Sequence, residues 1–448
     1  GHYPAPLFAS VQDDAVGKFL KANPNLKGLY LSGWRFTEAL LEQAAHSKHL
    51  LMLKLGQHQQ FEDKAVAQLV RSNPSILPSS IMSLTMPGRW TLRAMADVHG
   101  HRITELVPSK YKMSVDEEDL DYLVKKCCNL RKVTVLRGPI SNLLVRTLET
   151  AAPKLNRLSL MRSDHLRDWY DSTALASLLQ KTKSLTEIGF KCPVINDAML
   201  LALCRLAPLH SIQFHDCTNL TGAGIAAGLA GWASRKAADL YLYYLSVEHC
   251  STMTDVALSV MATSTQGLCT LSLRDSAGFT SGGLAIALET WTELIGLYMN
   301  ACPMVTDLVA ICIGRQCVNL RMLDLTASVH LTDAGGRCII SMLRRLSTLN
   351  LSDCVGLTDS TFDHIGCTAL VTVRLNGINR LGNSTVKKLA EHCPDMEVIR
   401  LHGTNVDKEG IRTMCRRAPS LKYVWWTPRP LDPFTDARVF REFPNVYF

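Results

Sequence analysis

One pattern limits what this chain can fold into more than any other. The segments NLRMLDLTAS from Asn319, RLSTLNLSDC from Arg345 and ELIGLYMNAC from Glu293 superimpose on a single template, LxxLxLxxC, with Ser in the Cys place of the first. Alternation in its second half has the period of a strand, which puts every second side chain on one face. Downstream the template continues as an apolar residue, Thr and Asp: Met253-Thr254-Asp255, Val305-Thr306-Asp307, Leu331-Thr332-Asp333 and Leu357-Thr358-Asp359. A Thr or Asp just before an apolar run offers its side-chain oxygen to the unpaired first-turn amides of a helix. A helix is therefore expected after each strand. Its apolar residues recur at helical spacing, as in Leu308, Ile311 and Cys312, and a Cys often stands near its end, as at Cys317, Cys367, Cys393 and Cys415.

With the second Leu of LxxLxL as a ruler, equivalents fall at Leu29, Leu53, Leu84, Leu106, Val133, Leu158, Ile188, Ile212, Leu245, Leu271, Leu297, Leu323, Leu349, Val373, Ile399 and Val424, which makes sixteen units. A 26-residue step dominates from Leu245 onward. Units of this size cannot bury an apolar face alone, so they stack and the core lengthens in one dimension. That is how 448 residues escape the division into several globular domains which their number would otherwise suggest. The expected fold is α/β, a leucine-rich-repeat solenoid or horseshoe of about 16 repeats of about 26 residues, with parallel strands on the concave face and helices on the convex face.

Regularity varies along the chain. The units at Leu84 and Leu106 are poor, with Met86 and Pro108 where apolar strand residues should stand, and lengthened loops or helices are expected at Arg162 to Asp171 and Gly228 to Ala238. The division read from these patterns is 1–25, a partial repeat or cap; 26–184, degenerate repeats; 185–426, regular cysteine-containing repeats; and 427–448, a C-terminal cap or tail. Val11 to Leu20 reads as the helix of a repeat without its strand, so the true start or a preceding domain is expected upstream of Gly1. Phe434, Phe440 and Tyr447, in the Pro-rich aromatic stretch after Trp426, are expected to cover the last strand.

The Cys at the strand end, the apolar-Thr-Asp helix start and the 26-residue period together resemble the cysteine-containing subclass of leucine-rich repeats, closely over Leu185 to Val424 and loosely over Leu26 to Leu160. That subclass is best known from F-box/leucine-rich-repeat proteins, the substrate receptors of cullin-RING ubiquitin ligases, and similar arrays occur in axonemal regulatory-complex subunits and other scaffolds. An F-box begins Leu-Pro and carries a late Trp. Leu77-Pro78 and Trp90 are the only trace of one, too close together and inside the repeat ladder, so the resemblance specifies the repeat type and not ligase membership.

Several function classes are disfavoured. No apolar stretch approaches the roughly 18 residues of a membrane span, so no membrane insertion is expected. The balance of 48 Lys+Arg against 40 Asp+Glu gives +8, but the cations are spread along the chain and not gathered into a block. Many of the 15 cysteines recur at one repeat position where a free thiol acts as a small buried hydrophobe, which implies an intracellular, reducing compartment: cytoplasm, cytoskeleton or cilium first, then nucleus or mitochondrion. No CxxC pair occurs, and Cys127-Cys128, Cys312 with Cys317, and His99 with His101 lack the two close ligand pairs of a zinc site; no metal or cofactor is expected. The glycines of Gly222 to Gly228 have the wrong spacing for a dinucleotide loop and occupy a helix slot. His215 and Cys217 would need an unidentified third group to form a catalytic site, and the acidic run Asp116 to Asp119 suits the first turn of a helix. An enzyme is not expected.

Binding is expected on the concave face, where the residues flanking the inner leucines point away from the core. These include Tyr30 and Ser32 in the early repeats, and Gln213, His215, Ser246, Glu248, Ser272, Asp324, Asn350, Asn376 and His402 later. Interfaces concentrate their energy in Trp, Tyr and Arg, so the leading contacts are Tyr244, Arg274, Tyr298, Arg374, Arg400 and Trp425. Three roles remain open: a non-catalytic protein-interaction scaffold or adaptor subunit, a ligase substrate receptor whose F-box lies upstream of Gly1, and an RNA-contacting scaffold.

Overall fold

The computed structural model describes residues 5–31, 36–55, 61–79, 81, 88–107, 116–135, 142–161, 172–191, 194–235, 241–250, 252–426 and 443. They belong to two compact units, Gly1–Val194 and Ile195–Phe448. In the first, helices α1 (Ala5–Ala22), α2 (Glu38–Ala45), α3 (Asp63–Ser72), α4 (Arg89–His99), α5 (Glu117–Lys126), α6 (Asn142–Ala151) and α7 (Ser172–Lys181) alternate with strands β1 (Gly28–Leu31), β2 (Met52–Leu55), β3 (Glu105–Leu106), β4 (Lys132–Val135), β5 (Arg157–Met161) and β6 (Glu187–Lys191). In the second, strands β7 (Ser211–His215), β8 (Tyr244–Glu248), β9 (Thr270–Ser272), β10 (Gly296–Tyr298), β11 (Met322–Asp324), β12 (Thr348–Asn350), β13 (Thr372–Arg374), β14 (Val398–Arg400) and β15 (Tyr423–Trp425) form one parallel sheet. Its helices are α8 (Asp197–Leu206), α9 (Gly222–Ala233), α10 (Asp255–Ser264), α11 (Ser281–Thr290), α12 (Asp307–Gln316), α13 (Asp333–Met342), α14 (Asn383–His392) and α15 (Lys408–Arg417). This alternation of parallel strand and helix is the leucine-rich-repeat solenoid.

Every ruler residue from Leu29 to Val424 lies in a strand except Leu84, which with Met86 and Pro108 is outside the described residues. Within each unit the rulers also pair with one another: Leu29 with Leu53, Val133 with Leu158, Leu271 with Leu297, Leu323 with Leu349, and Ile399 with Val424. A single-residue slip would turn the leucines to solvent, so the shared apolar position sets the register. The described ruler residues from Leu53 onward, the strand-end cysteines and the helix-end Cys317, Cys367 and Cys393 are buried, whereas Leu29 and Cys415 are half-buried. Of the lengthened segments, 162–171 is outside the described residues, whereas Gly228 falls in α9, which runs to 12 residues where its neighbours have ten.

The Thr-Asp pair at the helix start does two jobs. Thr221, Thr254, Thr280 and Thr332 accept a first-turn amide of their own helix. The Asp that follows clasps the next repeat. Asp307 accepts from the backbone N–H of Thr332 at 2.8 Å and from its hydroxyl at 2.6 Å, and Asp197, Asp255 and Asp333 do the same for Thr221, Thr280 and Thr358. Glycine two residues into the clasped helix makes room: a Cβ at Gly224 would collide with the Asp197 carboxylate, and one at Gly283 with Asp255. In the first unit Asp13 clasps Thr37, and Asp63 holds the N–H groups of Gly88 and Trp90.

Three expectations need correction. Thr306 stands at the cap position but makes no side-chain cap bond. The buried stripe of α12 is Val309, Ala310 and Ile313, whereas Leu308 is 55% exposed, because Asp307 must face the next repeat's Thr and so fixes the helix phase. After Asp359 there is no α-helix, only a 3₁₀ turn over Asp359–Phe362. That repeat is two residues shorter than its neighbour, and the fully buried Phe362 fills the space where helical residues would pack.

Candidate functional site

Three residues of each later repeat shape the outer face of the second unit's sheet: those immediately before and after the ruler, and the one three beyond it. What presents the third is a backbone feature. Asp216, His249, Asp275, Ala301, Ala327, Asp353, Gly377 and Gly403, each four residues past its ruler, adopt positive φ between 47° and 74°. A side chain in that left-handed region costs about 1 kcal/mol, and such residues are spared only when the surroundings over-determine them. Here the surroundings do so. The N–H groups of His249, Asp275, Ala301, Ala327, Asp353 and Gly377 donate to the carbonyls of Arg274, Asn300, Thr326, Ser352, Asn376 and His402, carrying the parallel ladder past each strand while the chain turns toward the helix. Sequence reasoning missed this row, although its Asp, Gly and Ala-Cys junctions are the signal that marks it.

The six leading contacts fall into two groups, all half-buried. Tyr244, Arg274 and Tyr298 form the first. The Arg274 guanidinium lies 5.3 Å from the Tyr298 ring centre, and the Tyr298 hydroxyl donates to Met322 Sδ at 3.3 Å. Burial raises the Tyr244 phenol, and the charge of Glu248 adds to it. Glu248 is the centre of a polar cluster, with His215 Nδ1 2.7 Å from one carboxylate oxygen and the hydroxyls of Ser272 and Ser246 donating to the other at 2.9 and 3.0 Å. Burial by itself would raise this carboxyl, but the hydrogen bond and charge of His215 and the two hydroxyls outweigh it and hold the pKa at about 2.

Arg374, Arg400 and Trp425 form the second group. They are consecutive register partners on β13, β14 and β15, so neighbouring backbones are about 4.8 Å apart. The Arg400 guanidinium stacks 4.5 Å over Trp425, whose other neighbour Tyr423 is stacked at 5.7 Å and 16°. Among the described residues neither arginine makes an ion pair, and the buried Nε atoms of Arg374, Arg400 and Arg274 have no acceptor. Between the groups, Asn350 donates to Asp324 at 3.1 Å. Ser246, Ser272, Asp324 and Asn350, expected as contacts, are buried: Ser272 bonds across to Glu248 and Asn350 across to Asp324, while Ser246 bonds to Glu248 on its own strand, and this leaves them little to offer a partner. Tyr30 is 68% exposed on β1, and Ser32 and the aromatic residues Phe434, Phe440 and Tyr447 lie outside the described residues.

Six of the described cysteines are buried and unreactive at neutral pH. Burial pushes Cys127, Cys204, Cys317, Cys354, Cys367 and Cys393 up to about 12, so they stay protonated at neutral pH. Cys354 instead caps a carbonyl, donating to Leu325 O at 3.1 Å, as the hydroxyl of Ser276 does to Val247 O at 3.0 Å in the equivalent slot. Among the described residues no three His, Cys, Asp or Glu side chains are grouped to hold a metal ion, and no helix is long and apolar enough to cross a membrane.

No protein-family model matches the chain. Similar solved structures include that of the Rad7 and Elc1 complex in yeast, 14% identical over 95% of this chain and 88% of that one with a TM-score of 0.42. A leucine-rich-repeat protein of Leptospira interrogans is 13% identical over 94% of this chain and 89% of its own, with a TM-score of 0.35. TLR13 in its complex with ssRNA13 is 14% identical over 94% of this chain, which spans 55% of that chain, with a TM-score of 0.42.

Proposed function

We propose that the strand face of the second unit is a protein-docking surface and that the chain works as a non-catalytic scaffold or adaptor subunit of a larger assembly. The observation that carries this reading is the coincidence of arginine–aromatic stacks with buried arginine donors that have no acceptor, all on one face. Stacking holds the side chains in one arrangement before a partner arrives, which reduces the ordering cost of association. Arginine and aromatic anchors are also the residues on which interface energy concentrates.

A rival surface exists on the helical side, where Val256, Ile286 and Leu308 are more than half exposed. Co-purification from the native cell separates the two. Arg374→Glu with Arg400→Glu is expected to remove a defined set of protein partners, while Val256→Glu with Leu308→Glu leaves them bound. Loss only with the helix-side pair would overturn the reading. Recovery of a ligase adaptor and cullin among the strand-face partners would make the scaffold a substrate receptor, and recovery of RNA in place of proteins would replace the reading altogether.

A further inference from the structure

We propose that Arg374, Arg400 and the Tyr423–Trp425 stack form a receptor for a phosphorylated peptide; the inference rests on the docking reading and names what docks. Two guanidinium side chains stand on adjacent strands in register, and neither pairs with a described carboxylate. Of the carboxylates nearby, Glu397 pairs with Lys422, and Asp324, two strands from Arg374, is held by the Asn350 amide. The buried Nε atoms donate to nothing, so each guanidinium has been partly desolvated without gaining a hydrogen bond. Arg400 is held 4.5 Å over the Trp425 ring, which limits how its forked donors can turn toward an acceptor.

Two adjacent guanidiniums that have no ion-pair partner among the described residues are best matched by a group carrying two negative charges. A phosphoryl group carries about −1.5 to −2 at neutral pH and offers three acceptor oxygens, which two forked donors can share. A single carboxylate would leave one guanidinium unneutralised. Nucleic acid fits less well, because it needs cations repeated along a track, whereas the strand face from β10 to β12 presents Tyr298, Asp324 and Asn350. Beside the arginines Tyr423 and Trp425 stack on one another and give the receptor an aromatic wall.

The test is fluorescence polarisation of the full chain with three degenerate peptide pools, centred on phosphothreonine, threonine or glutamate, and with single-stranded homopolymeric RNA. The phosphothreonine pool is expected to bind more than about tenfold tighter than the glutamate pool, the worth of one charge-assisted hydrogen bond. Arg374→Gln and Arg400→Gln should each abolish the preference, and Arg374→Lys, which keeps charge and loses the fork, should restore only part of it. Unchanged thermal melting of these variants keeps a folding defect from imitating the result. Equal binding of the phosphothreonine and glutamate pools, tighter binding of RNA, tighter binding of a peptide spanning residues 429–442 of this chain, or no binding by any pool would each overturn the proposal. Phosphatase treatment of the cell extract distinguishes the two readings: partners that need Arg374 and Arg400 yet survive dephosphorylation leave the docking surface standing and remove the phosphopeptide.

Discussion

The two units use the same strand–helix brick and differ in what happens where each strand ends. In the second unit, eight successive repeats turn through positive φ at one position, and six of those turns donate an N–H onward to the next repeat. The first unit shows no positive-φ residue among its described residues, and its interior holds polar groups that repetition does not explain: Asp119 bonded to Arg93, Asn73 donating to the carbonyls of Ala44 and Ser47, and His99 with neither ring nitrogen bonded. Repetition makes a strained turn tolerable, because each copy is held by the next. Where the pattern degenerates, each junction must be satisfied by its own local means.

The largest effect separating the units should come from acid. Burial, with the charges of Arg102 and His101 behind it, pushes the His99 pKa down to about 4 from its ordinary 6.5. The unfolded chain therefore takes up a proton that the folded one refuses, so stability is full above pH 6.5 and falls as pH drops toward 4, by about 3 kcal/mol in all. Hydrogen exchange across that window should show α4 and its neighbours losing protection, and His99→Leu should remove this component. In the second unit Glu248 is held at about 2, so the stability it contributes is lost only as pH falls from about 4.5 toward 2.

Next in size is the clasp. Asp333→Ala removes the acceptor for the N–H and hydroxyl of Thr358, and a loss of about 2 kcal/mol is expected in chemical unfolding. Asp333→Asn should recover part of it, since one acceptor oxygen remains. A neighbouring pair of glycines sharpens the same point. Gly283→Ala drives a methyl into the Asp255 carboxylate and should destabilise, whereas Gly282→Ala meets only the side chain of Thr280 at 3.7 Å and should stabilise by up to about 1 kcal/mol through helix propensity.

The smallest effect tests the turn row itself. Ala301→Gly and Ala327→Gly should each stabilise the second unit slightly, by less than about 1 kcal/mol, because glycine relieves the left-handed strain but enlarges the freedom of the unfolded chain. Gly377→Ala should do the opposite, with the added collision against Asp353. An unchanged melting temperature in all three variants would mean that the turn stores no strain.

What the sequence by itself determined is whatever repeats within one unit's own residues. The two-residue alternation around the rulers, the Thr-Asp helix starts and the buried cysteines are local patterns, and the strands at Leu271, Leu297, Leu323 and Leu349 stand in the register those patterns imply. Tyr244, Tyr298, Arg374, Arg400 and Trp425 lie on the strand face for the same reason: residues either side of a ruler leave the core, whereas Arg274 stands in the row three beyond it. The tertiary structure alone decided what depends on the neighbouring repeat. The exposure of Leu308 follows from the bond between Asp307 and Thr332, 25 residues apart. The burial of Asp324 and Asn350 follows from their meeting across strands, and the left-handed turns from carbonyls one repeat ahead. That Arg400 lies over Trp425, with Arg374 beside it and no counter-ion to either among the described residues, is likewise a fact of stacking one repeat on the next, since the residues involved are separated by a full repeat and no local pattern encodes the distance between them.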